Sequence, residues 1–275
     1  LKYELLPGCP LPLKPSKDGG SLVMRDGTTQ VFRSRLERDA LIRLDFCERA
    51  AWIITQPFTV VYTHDERRRR YTPDIYVARF RPASAQHADR GLLVEVKPKG
   101  VLEKERSRLE PAFAIGRHVA ATDLAVPFEI WTEERIYGDS LTENAGFLRR
   151  YFPTANRAYR ADHQALMLAA IREHPGITPS KLINACFPHP DDQPEAVAAL
   201  WALLAMGAVG CDLSRRLDTQ LTALYLPEHP SCPVSPFYEH GARPYPTPPA
   251  PIEAEIFREG LAPFRIPKAP KGRRT

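Results

Sequence analysis

The sequence predicts a mixed α/β protein: a sheet flanked by helices, followed by a smaller, mainly helical unit and a proline-rich tail. Three observations predict it. Helical and strand patterns alternate over residues 31–155, apolar residues return at helical spacing over 160–226, and Pro244, Pro246, Pro248, Pro249 and Pro251 crowd the segment 227–275. Alternating elements build layered α/β domains, whereas so much proline favours an extended chain that forms no core unaided. Residues 1–30, rich in Pro, Gly and Lys, predict an irregular N-terminal arm. A chain of 275 residues suffices for two modest domains or one large one.

Bulk properties narrow the class. With 43% hydrophobic and 26% charged residues, the composition is that of an ordinary globular protein. No apolar run reaches the roughly 20 residues of a membrane span, so no membrane role is expected. The start Leu1-Lys2-Tyr3-Glu4 lacks the basic-then-apolar pattern of a secretory leader. The five cysteines are odd in number and scattered, which predicts a reducing, cytoplasmic compartment and not a disulfide framework. A formal charge of +5 favours an anionic partner.

The first unit opens on a helix. Ser34 suits the N-cap, and Glu37 three residues on completes a capping-box pattern. Leu36, Ala40, Leu44, Cys47 and Ala51 then recur on one helical face. Trp52-Ile53-Ile54 begins a strand, and Phe58 to Thr63 forms another. The polar run His64 to Arg70 reads as a hairpin turn, with Tyr71 to Val77 as the return strand. Leu92 to Lys97 is apolar enough for a central strand. A helix is expected from Glu103 to His118, kinked or broken at Pro111, then a strand from Val126 to Trp131 and a closing helix from Thr142 to Tyr151.

Chemistry concentrates on two of these strands. Pro73 forces Thr72 to be extended and sets Asp74 at a strand start. Glu95 and Lys97, two apart on a strand, project to the same face, while Val94 and Val96 face the core. If the two strands pair, Asp74 stands beside Glu95. Adjacent carboxylates repel unless a cation lies between them, and oxygen ligands suit Mg2+, with Mn2+ as a substitute. A lysine beside such an ion can orient or deprotonate water, or stabilise charge on a phosphate. Taken alone, Glu37 reads first as a capping residue and second as a third acid of the site. Arg67, Arg68, Arg69 and Arg70 read as a phosphate grip or as a solvated turn, and Lys99 and Lys104 add positive charge beside the acids.

The residues Pro73-Asp74 and Glu95-Val96-Lys97, in that order of elements, resemble the PD-(D/E)XK nucleases of the restriction-endonuclease-like fold. More narrowly, Ser34-Arg35-Leu36-Glu37-Arg38-Asp39, Tyr71-Thr72-Pro73-Asp74 and Leu93-Val94-Glu95-Val96-Lys97-Pro98 resemble the TnsA endonuclease family of Tns-type heteromeric transposases, including those of CRISPR-associated transposons. The resemblance implies metal-site roles for Glu37, Asp74 and Glu95 and a catalytic lysine at Lys97. It further implies hydrolysis of the 5′, non-transferred strand at transposon-end DNA, a TnsB-like transposase and a TnsC-like AAA+ ATPase as partners, and association with the bacterial nucleoid during transposition. A stand-alone restriction or repair nuclease and a non-catalytic docking subunit are the alternative readings.

Residues 160–226 predict a winged-helix-like unit. Helices are expected after Asp162, from Pro179, and from Pro194 to a stop at Gly207, followed by short strands over 208–213 and 221–226 with Ser214-Arg215-Arg216 at the tip. The third helix offers few side chains able to read base edges, so protein docking is as compatible with it as DNA reading. Cys186 and His189 have ligand-like spacing but no matching second pair for zinc. No glycine loop of the Walker type is present, so energy from ATP would come through a partner. The tail, with Ile252, Ile256, Phe257 and Phe264 as apolar anchors, is expected to bind a partner.

Overall fold

In a computed structural model, residues 3–8, 17–47, 50–79, 91–153 and 159–233 are described. The tail expected to bind a partner lies, from residue 234 on, outside the described residues.

Helix α1 spans Arg35–Cys47. Ser34 caps it as expected: its Oγ accepts a hydrogen bond from Glu37 N at 3.1 Å, and the Glu37 carboxylate accepts one from Arg33 N at 2.8 Å. The strands of the described residues fall into three sheets. Strands β1 (Tyr3–Pro7), β5 (Phe58–His64) and β6 (Arg67–Tyr71) form one antiparallel sheet in the order β1-β5-β6. A hairpin of β2 (Gly20–Val23) and β3 (Thr29–Phe32) is the second. The third runs β4 (Ala50–Thr55), β7 (Ile75–Arg79), β8 (Gly91–Val96) and β9 (Phe128–Trp131), in that spatial order. Its pairs are antiparallel except β8 with β9, which is parallel. A parallel neighbour needs a long crossover, and helix α2 (Lys99–Val119) supplies it, followed by one π-helical turn over Ala120–Leu124.

Four expectations are corrected here. The segment 1–30 is not wholly irregular: Tyr3–Pro7 pairs with β5 from Tyr3↔Tyr62 to Pro7↔Phe58, and Gly20–Val23 forms half of a hairpin. The arginines are not in a turn. The hairpin turns on Asp65 and Glu66 alone, both left-handed at φ 49° and 59°, as a two-residue type I′ turn requires, so Arg67 to Arg70 are strand residues. The return strand is split, because Pro73 has no N–H to continue a ladder; β6 ends at Tyr71 and β7 resumes at Ile75 in a different sheet. Finally, Pro111 does not break α2, which passes through it. The carbonyl orphaned four residues earlier belongs to Ser107, which is exposed, so solvent satisfies it.

The central sheet is covered on both faces, so β8 is buried along its whole length. One face sends Ile75, Val77, Leu92, Val94 and Val96 against Ala40, Leu41 and Leu44 of α1, with Trp131 and Ile136 completing the layer. Glu95 lies on the opposite side of β8 from Val94 and Val96, as its strand position dictates. Helices α3 (Glu133–Tyr137) and α4 (Leu141–Leu148) follow β9.

The C-terminal helices are α5 (Ala161–Glu173), α6 (Pro179–Cys186) and α7 (Gln193–Met206). Gly207 ends α7 in the left-handed conformation, φ 74°, which glycine adopts without strain. Their core is shared with the first unit: Met167, Ile171, Leu182, Leu200 and Leu204 pack in one cluster with Phe46, Ala145 and Leu148. Polar ties cross the same boundary. Arg25 Nη1 donates to Ala205 O at 3.1 Å, and Ser140 N donates to Ser214 O at 3.0 Å. The expected winged hairpin is reduced to a single antiparallel bridge, Gly210↔Tyr225. In its place the buried Asn144 of α4 holds the loop, donating to Leu213 O and Arg215 O at 2.8 and 2.7 Å and accepting from Leu217 N at 3.2 Å. Helix α7 is buried from Ala199 to Ala205, which makes most of it a core helix rather than one that enters a groove. Among the described residues no helix is long and apolar enough to cross a membrane.

Candidate active site at the ends of β7 and β8

Strand register brings the acids together. The β7–β8 ladder pairs Ile75 with Val94; one step further along the antiparallel run sets Asp74 across from Glu95. Asp74 is fixed by two bonds, Oδ2 accepting from Val96 N at 2.8 Å and its carbonyl accepting from Gln56 N at 2.9 Å. Just before it, Thr72 Oγ1 meets Thr59 Oγ1 at 2.7 Å, and Thr59 Oγ1 donates to Gly8 O at 3.0 Å. The Thr-Pro-Asp turn is thus anchored to the other sheet, whose first strand precedes Gly8.

Lys97 bridges the pair. Its Nζ lies 2.6 Å from Glu95 Oε1 and 3.5 Å from Asp74 Oδ2, and it donates to Val96 O at 3.2 Å. The other Glu95 oxygen, Oε2, accepts from the Tyr71 hydroxyl at 2.8 Å. Side-chain exposure rises from 4% for Glu95 through 12% for Asp74 to 26% for Lys97, so the site opens to solvent on the lysine side. Glu37, at the start of α1, is close enough to feel the charges of Asp74 and Lys97. Asp74, Glu95 and Lys97 are thus brought together, whereas Glu37 lies within electrostatic reach of them with its carboxylate engaged at the helix start.

The electrostatics show one cation among too many anions. Burial, then the Asp74 charge, push the Glu95 carboxyl up to about 7 in spite of Lys97 and Tyr71. Burial, then Asp74, also raise Glu37. For Lys97, burial works against the charged form, but Asp74 and Glu95 outweigh it and hold the ammonium to about 12. A protonated lysine does not neutralise this cluster, which is the condition under which carboxylates accept a divalent ion. Among the described residues no group of three or more His, Cys, Asp or Glu side chains stands as a ready-made cage for a metal. Mg2+ does not need one, since it binds through one or two carboxylates and keeps several waters. Asp74 and Glu95, with the Val96 carbonyl that faces the same lysine, are a donor set of hard oxygens that fits it.

Glu37 serves as a cap whatever else it does, because both its oxygens are engaged at the helix start: Oε2 by Arg33 N at 2.8 Å and Oε1 by Ser34 Oγ at 3.2 Å. The two roles separate by substitution. Gln retains a capping-box oxygen, so Glu37→Gln is expected to hold stability within about 0.5 kcal/mol while lowering cleavage at least about tenfold if the charge serves the site. Ser34→Ala should lose about 1 kcal/mol by chemical denaturation and keep its activity. An unchanged rate for Glu37→Gln would reduce Glu37 to its cap.

The basic residues are less concentrated than the sequence reading implied. Alternation sends Arg67 and Arg69 to one face of β6 and Arg68 and Arg70 to the other. Arg68 Nη2 pairs with Glu4 at 3.3 Å and Arg69 Nη2 with Asp65 at 3.7 Å. Lys99 pairs with Glu134, whereas Lys104 is exposed on α2. On the same helix Arg108 pairs with Glu105 and Arg117 with Glu110. Exposed pairs of this kind contribute at most about 1 kcal/mol, so a phosphate can replace the carboxylate. Cys186 and His189 gather no further His, Cys, Asp or Glu into a metal group among the described residues.

Sequence reading missed two partners: the Tyr71 hydroxyl, which holds the buried side of Glu95, and the Val96 amide, which holds Asp74. Both follow from register, and neither leaves a mark in residue spacing. No protein-family model matches the chain, and no curated protein matches it.

Proposed function

We propose that this chain is a Mg2+-dependent DNA endonuclease that hydrolyses a phosphodiester at the site of Asp74, Glu95 and Lys97. The observation that carries the reading is the buried, facing pair of acids with a lysine ammonium between them, opening to solvent on the lysine side. Mg2+, when bound there, would lower the pKa of a coordinated water and offset charge on the phosphate. The chain's own part is to hold that arrangement. Asp74 and Glu95 are fixed by Val96 N and Tyr71, and Lys97 presents a protonated amine toward the opening, where it can orient the attacking water and stabilise the charge that grows on the phosphate oxygens. Water oxygen bonds to phosphorus and gives up one proton to solvent, the ester bond opposite breaks, and the leaving oxygen takes up a proton from solvent.

The biological setting follows from the sequence resemblance. On that reading the chain cuts the 5′, non-transferred strand at transposon ends, beside a TnsB-like transposase that cuts and joins the 3′ strand and a TnsC-like ATPase. The shared core of α1, α4 and the C-terminal helices, and the buried α7, favour a protein-docking over a base-reading role for that part. The test is to mix the purified chain, a transposase of the same element, end DNA and Mg2+, and to map the cut strand. Cuts at the 5′ ends that require the transposase are expected. Efficient cutting by the chain alone, at sites unrelated to element ends, would replace this reading with a stand-alone restriction or repair nuclease.

A further inference from the structure

We propose that Tyr71 is a positioning residue that decides which oxygen of Glu95 serves the cation, and thereby favours Mg2+ over larger divalent ions; the inference rests on the reading of this site as a cation-dependent nuclease. The two oxygens of Glu95 have divided roles. Oε2 is taken by the Tyr71 hydroxyl at 2.8 Å on the buried side. Oε1 faces Lys97 Nζ at 2.6 Å, and that amine lies 3.5 Å from Asp74 Oδ2. Only Oε1 therefore looks toward the other acid and the opening.

The arrangement is built into the packing. Tyr71 is 6% exposed at the end of β6. Helix α2 passes it with Gly116, where an added Cβ would stand 2.8 Å from Tyr71 Cε1, 2.9 Å from Phe128 Cε2 and 3.2 Å from the Tyr71 hydroxyl. A larger residue there would displace the ring.

The consequence is a coordination preference. Mg2+ demands compact octahedral geometry, whereas Ca2+ takes about six to eight oxygens and accepts both oxygens of one carboxylate. A glutamate with one oxygen already committed can offer a single ligand, which penalises Ca2+. Removing the hydroxyl frees the second oxygen and lets the carboxylate swing.

The test compares the full-length wild-type chain with Tyr71→Phe, which keeps the ring. Each is titrated calorimetrically with MgCl2 and with CaCl2 without DNA, and circular dichroism checks the fold. Tyr71→Phe is expected to bind Mg2+ about tenfold more weakly, as loss of a partner behind a ligand does, and Ca2+ as well as or better than wild type. A Mg2+-to-Ca2+ affinity ratio within about twofold of wild type in the folded variant overturns the role given to Tyr71 while leaving the nuclease reading intact. If Tyr71→Phe fails to fold, Gly116→Ala, which shifts the ring, should lower the same ratio, and an unchanged ratio there overturns the proposal. A wild-type chain that binds neither ion overturns both.

Discussion

Asp74→Asn and Glu95→Gln are each expected to reduce the proposed Mg2+-dependent strand cleavage by about 10³-fold or more, while the protein stays folded. Both changes remove a charge and almost no volume. The amide oxygen of Asn at position 74 can still accept from Val96 N, and that of Gln at position 95 can still accept from the Tyr71 hydroxyl, although its NH2 then faces Lys97 where Oε1 accepted. Alanine would be a poorer probe, since it strands a buried donor at a cost of about 1–3 kcal/mol and mixes stability with chemistry. What the amides cannot do is hold a divalent ion as a carboxylate does. A loss of about 10³-fold corresponds to roughly 4 kcal/mol of the barrier, reasonable for a ligand in a metal-assisted hydrolysis. Denaturant midpoints should move by no more than about 1 kcal/mol. Near wild-type cleavage by Asp74→Asn in Mg2+ would remove the site from consideration.

Why these two acids were legible in the sequence, while their supports were not, has a physical answer. A strand repeats every two residues, so Glu95 and Lys97 had to share a face once Leu92, Leu93 and Val94 marked a buried strand. Pro73 fixed the extended backbone before Asp74. Those inferences are local. The Tyr71 hydroxyl and the Val96 amide reach their partners only through pairing across strands, and register is a global property. The same distinction explains the corrections. Asp65 and Glu66 make a tight turn without glycine, so the hairpin lacked its strongest signal and the arginines read as loop. Tyr3–Pro7 is a five-residue edge strand that depends on β5 as its template, and nothing in its composition announces that partner. By contrast, α7 was readable: a helix that is apolar nearly all round is a buried one. The alanines and leucines from Ala199 to Ala205 carry that message, although the expectation drawn from this helix was only that it offers few side chains able to read base edges. The C-terminal helices were legible as helices, but their fusion with the first unit was not. It depends on Phe46, Ala145 and Leu148, which a one-dimensional pattern assigns to their own helices.

Lys97→Ala provides the test with consequences in a cell. The lysine contributes charge and a hydrogen-bond donor at the mouth of the site, and with its ammonium held to about 12 it acts as a cation rather than as a base in this arrangement. Its removal leaves Glu95 Oε1 without its 2.6 Å partner and brings Asp74 and Glu95 into direct repulsion, which a bound divalent ion would relieve. The variant should therefore fold and assemble, and its cleavage rate should fall by about 10²–10³-fold, as when one donor aimed at a developing anion is lost. On the transposition reading, the second strand is cut and joined by a separate transposase with acids of its own. Joining of 3′ ends to the target would continue while the 5′ strand remained attached to the donor. Replication across that branched product would fuse donor and target into a cointegrate in place of a simple insertion. Sequencing both insertion junctions and the flanking donor DNA distinguishes the two products. A predominance of cointegrates from Lys97→Ala is the expected result. Mostly simple insertions, at the wild-type frequency, would mean that another protein makes the 5′ cut, and the transposon-end role would fall even if the chain proved to be a nuclease in isolation.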